Sequence, residues 1–323
     1  MNKIITLTCA LSLLAAGSVA HAAKPSRIVA NDRTVLPSVS SMVENGRTLV
    51  PLRVVAEALG ASVTWDAKKR TANVSKWAES TVFKAGSKTA TAVYGSINPE
   101  PQTVALDTAA VIQQGRVYVP LRMIAVTFGY QVDFTTDGTI ALRSFINKAD
   151  RAVLASGELS DARLLVRKKG VLNAHFAQLP TLYPSQGREG YAATFLFPVG
   201  EANRFFFVSG DTAAFYELID GFFVVTWRAL IPLGSKDALG LFLDGKYTEA
   251  TGTYPAAIEK KGFVYNTTST YMNGERHTTG TVDKDGTINV LGTTWSVSGE
   301  LKEQSGSLDM AMPGETRNEV RLP

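Results

Sequence analysis

Four carboxylates in the second half of the chain are the residues best suited to acid–base chemistry, and that chemistry would be glycoside hydrolysis. Asp211, Glu217, Asp220 and Asp244 lie near segments rich in aromatic residues, and a glycosidase needs two carboxylates facing each other across a cleft. Their spacing singles out no pair, and three of them fall at turn positions, where solvated carboxylates are common. An extracellular hydrolase of wall or matrix glycan is therefore the alternative prediction, after a non-catalytic protein.

Histidine and cysteine are scarce, which argues against metal and nucleophilic chemistry. Cys9 is the only cysteine, and His21, His175 and His277 are the only histidines. The His-Glu-x-x-His pattern of zinc hydrolases, the serine nucleophile elbow and the phosphate-binding loop are absent from the sequence. We interpret His175 and His277 as partly exposed surface or strand residues. The sequence thus predicts no catalytic residue, no metal and no cofactor.

Arginines recur in register within an internal repeat of the first half. Residues 45–53 (NGRTLVPLR) return 69 positions later as residues 114–122 (QGRVYVPLR), which indicates a tandem duplication. Arginines near two helix starts suggest an anion site. The alternative is that they bond backbone carbonyls, Glu57 or Asp66. The four residues are Arg47, Arg53, Arg116 and Arg122.

Each copy of the repeat predicts a turn that leads through an extended segment into a short helix. Gly46 and Gly115 favour turns with positive φ. The residues before Pro51 and Pro120 are expected to be extended. Each proline is then predicted to open a helix at its first position, where a missing N–H costs nothing.

The helices are predicted to be short and amphipathic. Leu52 and Leu121 begin apolar faces with the spacing i, i+3, i+4, i+7, and Gly60 and Gly129 are expected to end the helices as left-handed caps. A further strand follows each cap. The residues that define the motif are Gly46, Arg47, Pro51, Leu52, Arg53, Gly60, Trp65, Gly115, Arg116, Pro120, Leu121, Arg122, Gly129 and Phe134.

The first copy of the repeat resembles a known family of extracellular modules. Residues 45–53, 56–61 (AEALGA) and 63–66 (VTWD) look like the stalk domain first known from the N-terminus of copper amine oxidases, and the resemblance spans about residues 27–143. In the second copy Val126 stands in place of Glu57, a change that keeps the buried face. The resemblance implies an accessory module for spacing, packing or envelope association, frequent in exported proteins of Gram-positive bacteria. It implies no catalytic residues.

The sequence lacks the groups with which amine oxidases carry out their chemistry. Those enzymes hold copper with three histidines and make their cofactor from a tyrosine in a Thr-x-x-Asn-Tyr-Asp/Glu context. After a predicted leader only His175 and His277 remain, and Tyr265-Asn266 has the two residues in the wrong order. Amine oxidase activity is therefore not expected.

The beginning of the chain and its charge distribution predict an exported protein. Residues 1–22 combine Lys3, an apolar stretch and the small-x-small sequence Ala20-His21-Ala22, as in a signal peptide. No later stretch is long and apolar enough for a membrane helix. Lys and Arg outnumber Asp and Glu by 15 to 10 in residues 23–150, whereas 17 face 19 in residues 151–323. A basic front half suits an anionic partner, so we expect a cell-wall polymer or another envelope protein and no nucleic acid.

The second half predicts a mainly antiparallel β domain. Segments rich in aromatic and β-branched residues alternate with tight turns such as Asn273-Gly274 and Asp285-Gly286. Such a pattern is typical of a sandwich or a barrel, and a barrel with an apolar interior could carry a ligand. Residues 239–243, 287–291, 294–301 and 308–312 are among the predicted strands.

Aromatic side chains of this half are either core or a sugar-stacking platform. Residues 205–207 and 222–223 place rings on both faces of their strands, so one face must meet another layer, a lid or a partner. The platform candidates are Tyr191, Phe195, Phe197, Phe205, Phe207, Phe222, Trp227 and Trp295.

Together these features predict an α+β protein. It comprises a signal peptide (1–22), a duplicated stalk module (23–146, repeats about 27–75 and 88–143) made of a twisted sheet with two short helices, a β-rich domain (151–312) and a flexible tail (313–323). The predicted function is that of a secreted, non-catalytic, cell-envelope-associated protein in which the module supports a β-rich binding or interaction domain.

Overall fold

The computed structural model describes residues 26–94, 100–171, 174–180, 182, 192–232, 237–259, 261–297 and 310–319. The predicted signal peptide lies outside the described residues. Strands dominate and helices are short, so the predicted α+β class is confirmed. Within these ranges, no helix combines the length and the apolar composition that a membrane span requires.

The N-terminal module consists of three small sheets around two short helices. Its elements are β1 (Ser26–Ala30), β2 (Arg33–Val39), β3 (Met42–Glu44), β4 (Arg47–Pro51), α1 (Leu52–Ala58), β5 (Ser62–Asp66), β6 (Thr71–Lys76), β7 (Glu79–Lys84), β8 (Thr89–Val93), β9 (Gln102–Ala105), β10 (Val111–Gln113), β11 (Arg116–Pro120), α2 (Leu121–Thr127), β12 (Gln131–Phe134) and β13 (Thr139–Arg143). The sheets have the orders β12-β13-β1-β2, β10-β11-β4-β3 and β5-β6-β7-β8-β9. The sequence predicted a single twisted sheet, whereas the structure has three. Side chains from all three sheets, such as Ile28, Val50 and Val74, pack with the helices in one hydrophobic core.

The two repeats are related by a local twofold arrangement. Strands β4 and β11 pair antiparallel, with Val50 opposite Val119. These two valines are equivalent positions of the repeat, 69 residues apart, so the axis passes between them. Helix α1 packs against β11 and α2 against β4. Each repeat therefore completes the other, which explains why a helix too short to be stable alone persists here.

Backbone conformations confirm the predicted turns and caps, and they place the start of each helix one position later than predicted. Gly46 and Gly115 have φ of 72° and 73°, and the caps Gly60 and Gly129 both have φ of 75°. The prolines, however, end the strands and stand one position before the helices, with ψ of 111° at Pro51 and 120° at Pro120. The proline ring fixes φ alone, and the strand pairing between β4 and β11 keeps ψ extended.

The β-rich domain follows without a gap in the fold. Its elements are α3 (Lys148–Ser156), α4 (Leu159–Lys169), β14 (His175–Phe176), β15 (Ala192–Pro198), β16 (Arg204–Ser209), β17 (Thr212–Ile219), β18 (Phe222–Leu230), α5 (Ala238–Leu243), β19 (Thr248–Gly252), α6 (Ala256–Glu259), β20 (Phe263–Tyr271), β21 (Gly274–Val282) and β22 (Ile288–Val297).

The described strands of this domain form one sheet, neither two packed sheets nor a closed barrel. Its order is β14-β18-β17-β16-β15-β20-β21-β22, with β19 also paired to β18. One face, including Phe205, packs against α3 and α4. The other face, including Phe206, packs against α5 and α6. The sequence predicted that one of the two faces would meet another layer, a lid or a partner, and in the structure helices cover both faces.

Four predicted strands differ in the structure. Residues 239–243 form part of helix α5, because Asp237 accepts a hydrogen bond from the backbone N–H of Gly240 and caps its start. Residues 287–291 and 294–301 were predicted as two strands, whereas β22 runs unbroken through 288–297 and residues 298–301 lie outside the described part. Of residues 308–312, only 310–312 are described and they form no strand.

The predicted flexible tail is anchored in its described part. The guanidinium of Arg163 on α4 meets the carboxylate of Glu315 at 2.6 Å and 2.9 Å, and the two side chains are 0% and 1% exposed. Glu319 accepts hydrogen bonds from the backbone N–H groups of Ala202 and Asn203. Buried charges need such partners, and these contacts hold residues 310–319 against the domain.

The module and the β-rich domain share a hydrophobic core. Phe222 and Val224 of β18 belong to the same buried cluster as Leu59, Phe128 and Tyr130 of the module. The backbone N–H of Ala78 donates to the carbonyl of Phe176 at 2.7 Å. The module is therefore packed directly against the domain that it was predicted to support.

Candidate functional site

The repeat motif builds a groove on the module surface, but it does not gather the four arginines. The groove, about 260 Å³ in volume, is lined by residues of both repeats. In the groove, Nε of Arg47 lies 2.7 Å from Oδ2 of Asp107. Outside the groove, Nε of Arg53 lies 3.8 Å from Oε1 of Glu57, which agrees with the alternative prediction that these arginines bond nearby groups of the module. Arg116 and Arg122 are exposed. The motif residues that line the groove are Gly46, Arg47, Pro120, Leu121, Arg122 and Phe134.

Several motif residues contribute to the core or lie at the surface of the module. Leu52 and Leu121 are buried at the starts of the two helices. The aromatic rings of Trp65 and Phe134 are 39% and 55% exposed. Because helices α1 and α2 have only seven residues each, we assign no anion site to their first turns.

A second cavity, which we call the junction cleft, lies between the module and the β-rich domain. Its volume is about 370 Å³. Its lining combines the end of α2 and the start of β7 in the module with β14 and β18 of the β-rich domain. The lining residues include Glu79, Tyr94, Thr127, Gln131, Phe145, His175 and Phe222.

Glu79 and His175 form a buried pair in this cleft. Nδ1 of His175 lies 2.7 Å from Oε1 of Glu79, and the side chains are 10% and 2% exposed, respectively. The other carboxylate oxygen of Glu79, Oε2, is buried and has no hydrogen-bond partner. The pair joins two strands that are far apart in sequence, β14 and β7.

Aromatic rings and a glycine fix the imidazole of His175. The ring lies 4.6 Å from that of Trp77 and 4.8 Å from that of Phe222, centroid to centroid. On another side it approaches Gly129, where an added Cβ would lie 2.7 Å from Nε2. The left-handed cap of the second repeat is thus also the place where the domain's histidine fits.

Lys76 lies beside this pair and is engaged elsewhere. Its Nζ donates to the carbonyl of Leu59 at 2.7 Å and to Oδ2 of Asp220 at 3.2 Å, and lies 4.3 Å from the ring centre of Trp77. Burial lowers the pKa of Lys76, although the charges of Asp220 and Glu79 oppose that shift.

The polar groups that line the junction cleft include the hydroxyl of Thr127 and the carboxylate of Glu79. The hydroxyl of Thr127 donates to the carbonyl of Met123 at 2.8 Å and also bonds Thr81 at 2.7 Å. Among the described lining residues, Glu79 is the only carboxylate. No group of three or more potential metal ligands occurs in the described part of the chain.

None of the four carboxylates considered for hydrolysis lines the groove or the junction cleft. Asp211 and Asp220 flank the eight-residue strand β17 at its opposite ends, a distance of roughly 25 Å or more. Asp220 bonds Lys76, and Asp244 bonds Lys246 at 2.8 Å. Glu217 accepts from the hydroxyl of Thr226 at 2.9 Å. Asp220, Asp244 and Glu217 are thus each bonded to a lysine or threonine side chain.

Most aromatic residues proposed for a sugar platform are core. Phe195, Phe197, Phe205, Phe222 and Trp227 are all buried. Among the candidates that the structure describes, Trp295 alone is exposed by more than a third, and its ring lies 5.3 Å from that of Tyr271. Phe207 is partly buried, and Tyr191 lies outside the described residues.

Both histidines lie on strands as predicted, but they are buried, with 8% and 9% exposure. The imidazole of His277 bonds Thr268 and Arg167, each at 3.1 Å. Burial and then the charge of Arg167 lower the pKa of His277 from its usual value of 6.5, and Glu275 opposes them. Arg167, which contacts this imidazole, belongs to α4, and the sequence pattern of the strand alone did not reveal this contact.

We expect His277 to make the fold less stable in mild acid. Because its pKa is lowered in the folded state, the unfolded chain binds the extra proton as the pH falls below about 6.5, and stability is lost with it. Urea unfolding between pH 7.5 and 5 should show a steeper decline of the free energy of unfolding for the wild type than for His277→Gln. Identical slopes would contradict this assignment.

The sequence indicated the junction cleft only faintly. Glu79 starts a strand in which Thr81 and Phe83 also face inward, so strict alternation places this carboxylate on the buried face. The sequence therefore contained a signal for the burial of Glu79. It contained no signal for the pairing of Glu79 with His175, because the two residues are 96 positions apart.

The fold and the repeat define the first part of the chain as a duplicated module of small sheets and two short helices, and the comparison with known families assigns it to a known domain. Residues 29–141 match the family described as copper amine oxidase N-terminal domain. That domain is non-catalytic, and no other family is recognised in the rest of the chain. A search of curated proteins found no match to the chain.

Proposed function

We propose that the protein is an exported, non-catalytic binding protein of the cell envelope, in which the N-terminal module and the β-rich domain act as one unit. One observation carries the proposal: the two parts share a hydrophobic core and enclose the junction cleft between them. A module that only spaced a domain from the wall would need no such joint cavity. Export is supported by the signal-peptide pattern of residues 1–22.

The proposed envelope partner is an anionic wall polymer. The positive excess of residues 23–150, with 15 basic against 10 acidic side chains, lies in the module, and Arg116 and Arg122 are exposed on it. Long-range attraction between such a surface and a polyanion is screened by salt. The β-rich domain, with 17 basic against 19 acidic residues in 151–323, lacks this excess.

We expect the protein without residues 1–22 to be retained on purified cell walls at low ionic strength and released as salt is raised. Each arginine near an anionic surface contributes about 1 kcal/mol, so Arg116→Ser/Arg122→Ser should weaken retention roughly tenfold or more. The matched control is Arg276→Ser/Lys284→Ser, which removes two exposed charges from the β-rich domain and should leave retention unchanged.

The same incubation tests the non-catalytic part of the proposal. No retention at low salt would contradict envelope binding. Release of soluble sugar or peptide fragments from the walls would contradict a non-catalytic role and favour the glycan hydrolase that the sequence left as the alternative.

A further inference from the structure

We propose that the junction cleft binds a small organic cation that carries N–H donors, an ammonium or an amidinium group, with Glu79 as its acceptor. This inference rests on the proposed binding function and gives the cleft a ligand class. Neither the repeat motif nor the family of the module assigns a ligand to this place.

The first step in the argument is the unpaired oxygen of Glu79. The residue is 1% exposed, and only Oε1 has a partner, the imidazole of His175. A buried carboxylate oxygen that lacks a hydrogen bond is costly, and native structures rarely leave one. A ligand whose N–H group donates a hydrogen bond to Oε2 removes that cost.

The second step is the charge around the cleft. Two ammonium groups lie near the cleft, and both are engaged. Nζ of Lys76 is directed at Asp220 and at the carbonyl of Leu59, and Nζ of Lys169, 5.5 Å from the ring centre of Phe145, bonds Asp150 at 2.6 Å. With Glu79 these groups comprise three carboxylates for two ammonium groups, and the imidazole of His175 contacts only Oε1 of Glu79. A positively charged ligand balances this excess, whereas an anion would add to it.

The third step is the wall of the cleft. Tyr94, Phe145 and Phe222 supply aromatic rings, and the side-chain amide of Gln131 is a further polar group in the lining. Aromatic faces together with a carboxylate are the recurrent environment of organic cations. A volume of about 370 Å³ falls at the small end of ligand sites. A bare metal ion is less suited, because the described lining offers only Glu79 and His175 as strong ligands.

The test uses benzamidinium and its uncharged near-isostere benzamide as probes. Calorimetric titration of the protein lacking residues 1–22 should show binding of benzamidinium at least about tenfold tighter than binding of benzamide, since a hydrogen bond to a charged group contributes that much or more. Tryptophan emission should change in the same titration, because Trp77 lies against His175 at the cleft.

Two variants locate the site. Glu79→Gln removes the charge with little change in shape and should weaken benzamidinium binding about tenfold or more, while Glu57→Gln, on the exposed side of α1, is the matched control and should have no effect. Phe145→Ala alters a ring that is 41% exposed. It should also weaken binding without unfolding the protein, as checked by thermal unfolding.

Equal affinity for the two probes, unchanged binding by Glu79→Gln and Phe145→Ala, or no binding at all would overturn the inference. The wall-retention assay fails or succeeds separately. Retention on walls without benzamidinium binding would leave the envelope role standing and remove the cation site, and the reverse result would remove the envelope role alone.

Discussion

Replacement of Arg163 by methionine is expected to lower the free energy of unfolding by about 3–5 kcal/mol, the usual cost of removing one partner of a buried ion pair. Arg163 is fully buried and the side chain of Glu315 is 1% exposed, and the guanidinium also donates to the backbone carbonyls of Pro198, Glu201 and Met310. The variant leaves a buried carboxylate whose main counter-charge is gone. Urea unfolding of both proteins at neutral pH measures the difference.

The control is Arg53→Met, which breaks the exposed pair with Glu57 at 3.8 Å and should cost no more than about 0.5 kcal/mol. A second readout is local. Hydrogen exchange of the amides in residues 310–319 should accelerate in Arg163→Met and stay unchanged in Arg53→Met. If the two variants unfold at the same urea concentration, Arg163 does not anchor the end of the chain as described.

The glycine caps of the two repeats provide the second large effect. Gly60 and Gly129 have the same φ of 75°, so alanine at either position should cost about 1–2 kcal/mol for the left-handed backbone. At Gly60 the nearest atom to an added Cβ is 3.6 Å away, whereas at Gly129 the ring of His175 lies at 2.7 Å and Phe222 at 3.2 Å. Gly129→Ala should therefore cost about 1–3 kcal/mol more, as overpacked sites do.

This pair of variants separates backbone strain from packing at the junction, because the repeat keeps everything else similar. The free energies of unfolding of Gly60→Ala and Gly129→Ala are compared by urea titration. Equal losses would mean that the imidazole moves aside freely, and the rigid placement of His175 in the cleft would be wrong.

Local chemistry made the first half of the fold predictable. The turns at Gly46 and Gly115 and the caps at Gly60 and Gly129 need positive φ. The residue types at and next to these positions indicate this requirement directly. The helix start was misplaced by one position, since strand pairing between β4 and β11 sets ψ at the two prolines. The family resemblance of this region is confirmed over residues 29–141.

Short apolar runs made the second half harder to predict. Residues 239–243 (LGLFL) suit a strand or a helix equally by periodicity, and the cap from Asp237 together with packing of Phe242 on the sheet decides for a helix. The prediction of a sandwich or a barrel was wrong for a similar reason. Periodicity assigns strands, but it does not state which strands pair or whether helices cover the faces.

The sequence by itself determined the repeat, its turns and caps and the strand-rich composition of the second half, because each depends on residues a few positions apart. Tertiary structure alone decided the pairing of Glu79 with His175, the burial of Arg163 with Glu315 and the junction cleft. Those contacts join segments about a hundred residues or more apart, and a chain's local preferences carry no information on which distant segments meet. Once the segments are packed together, a buried charge without a partner would be costly, so the charged groups meet as pairs.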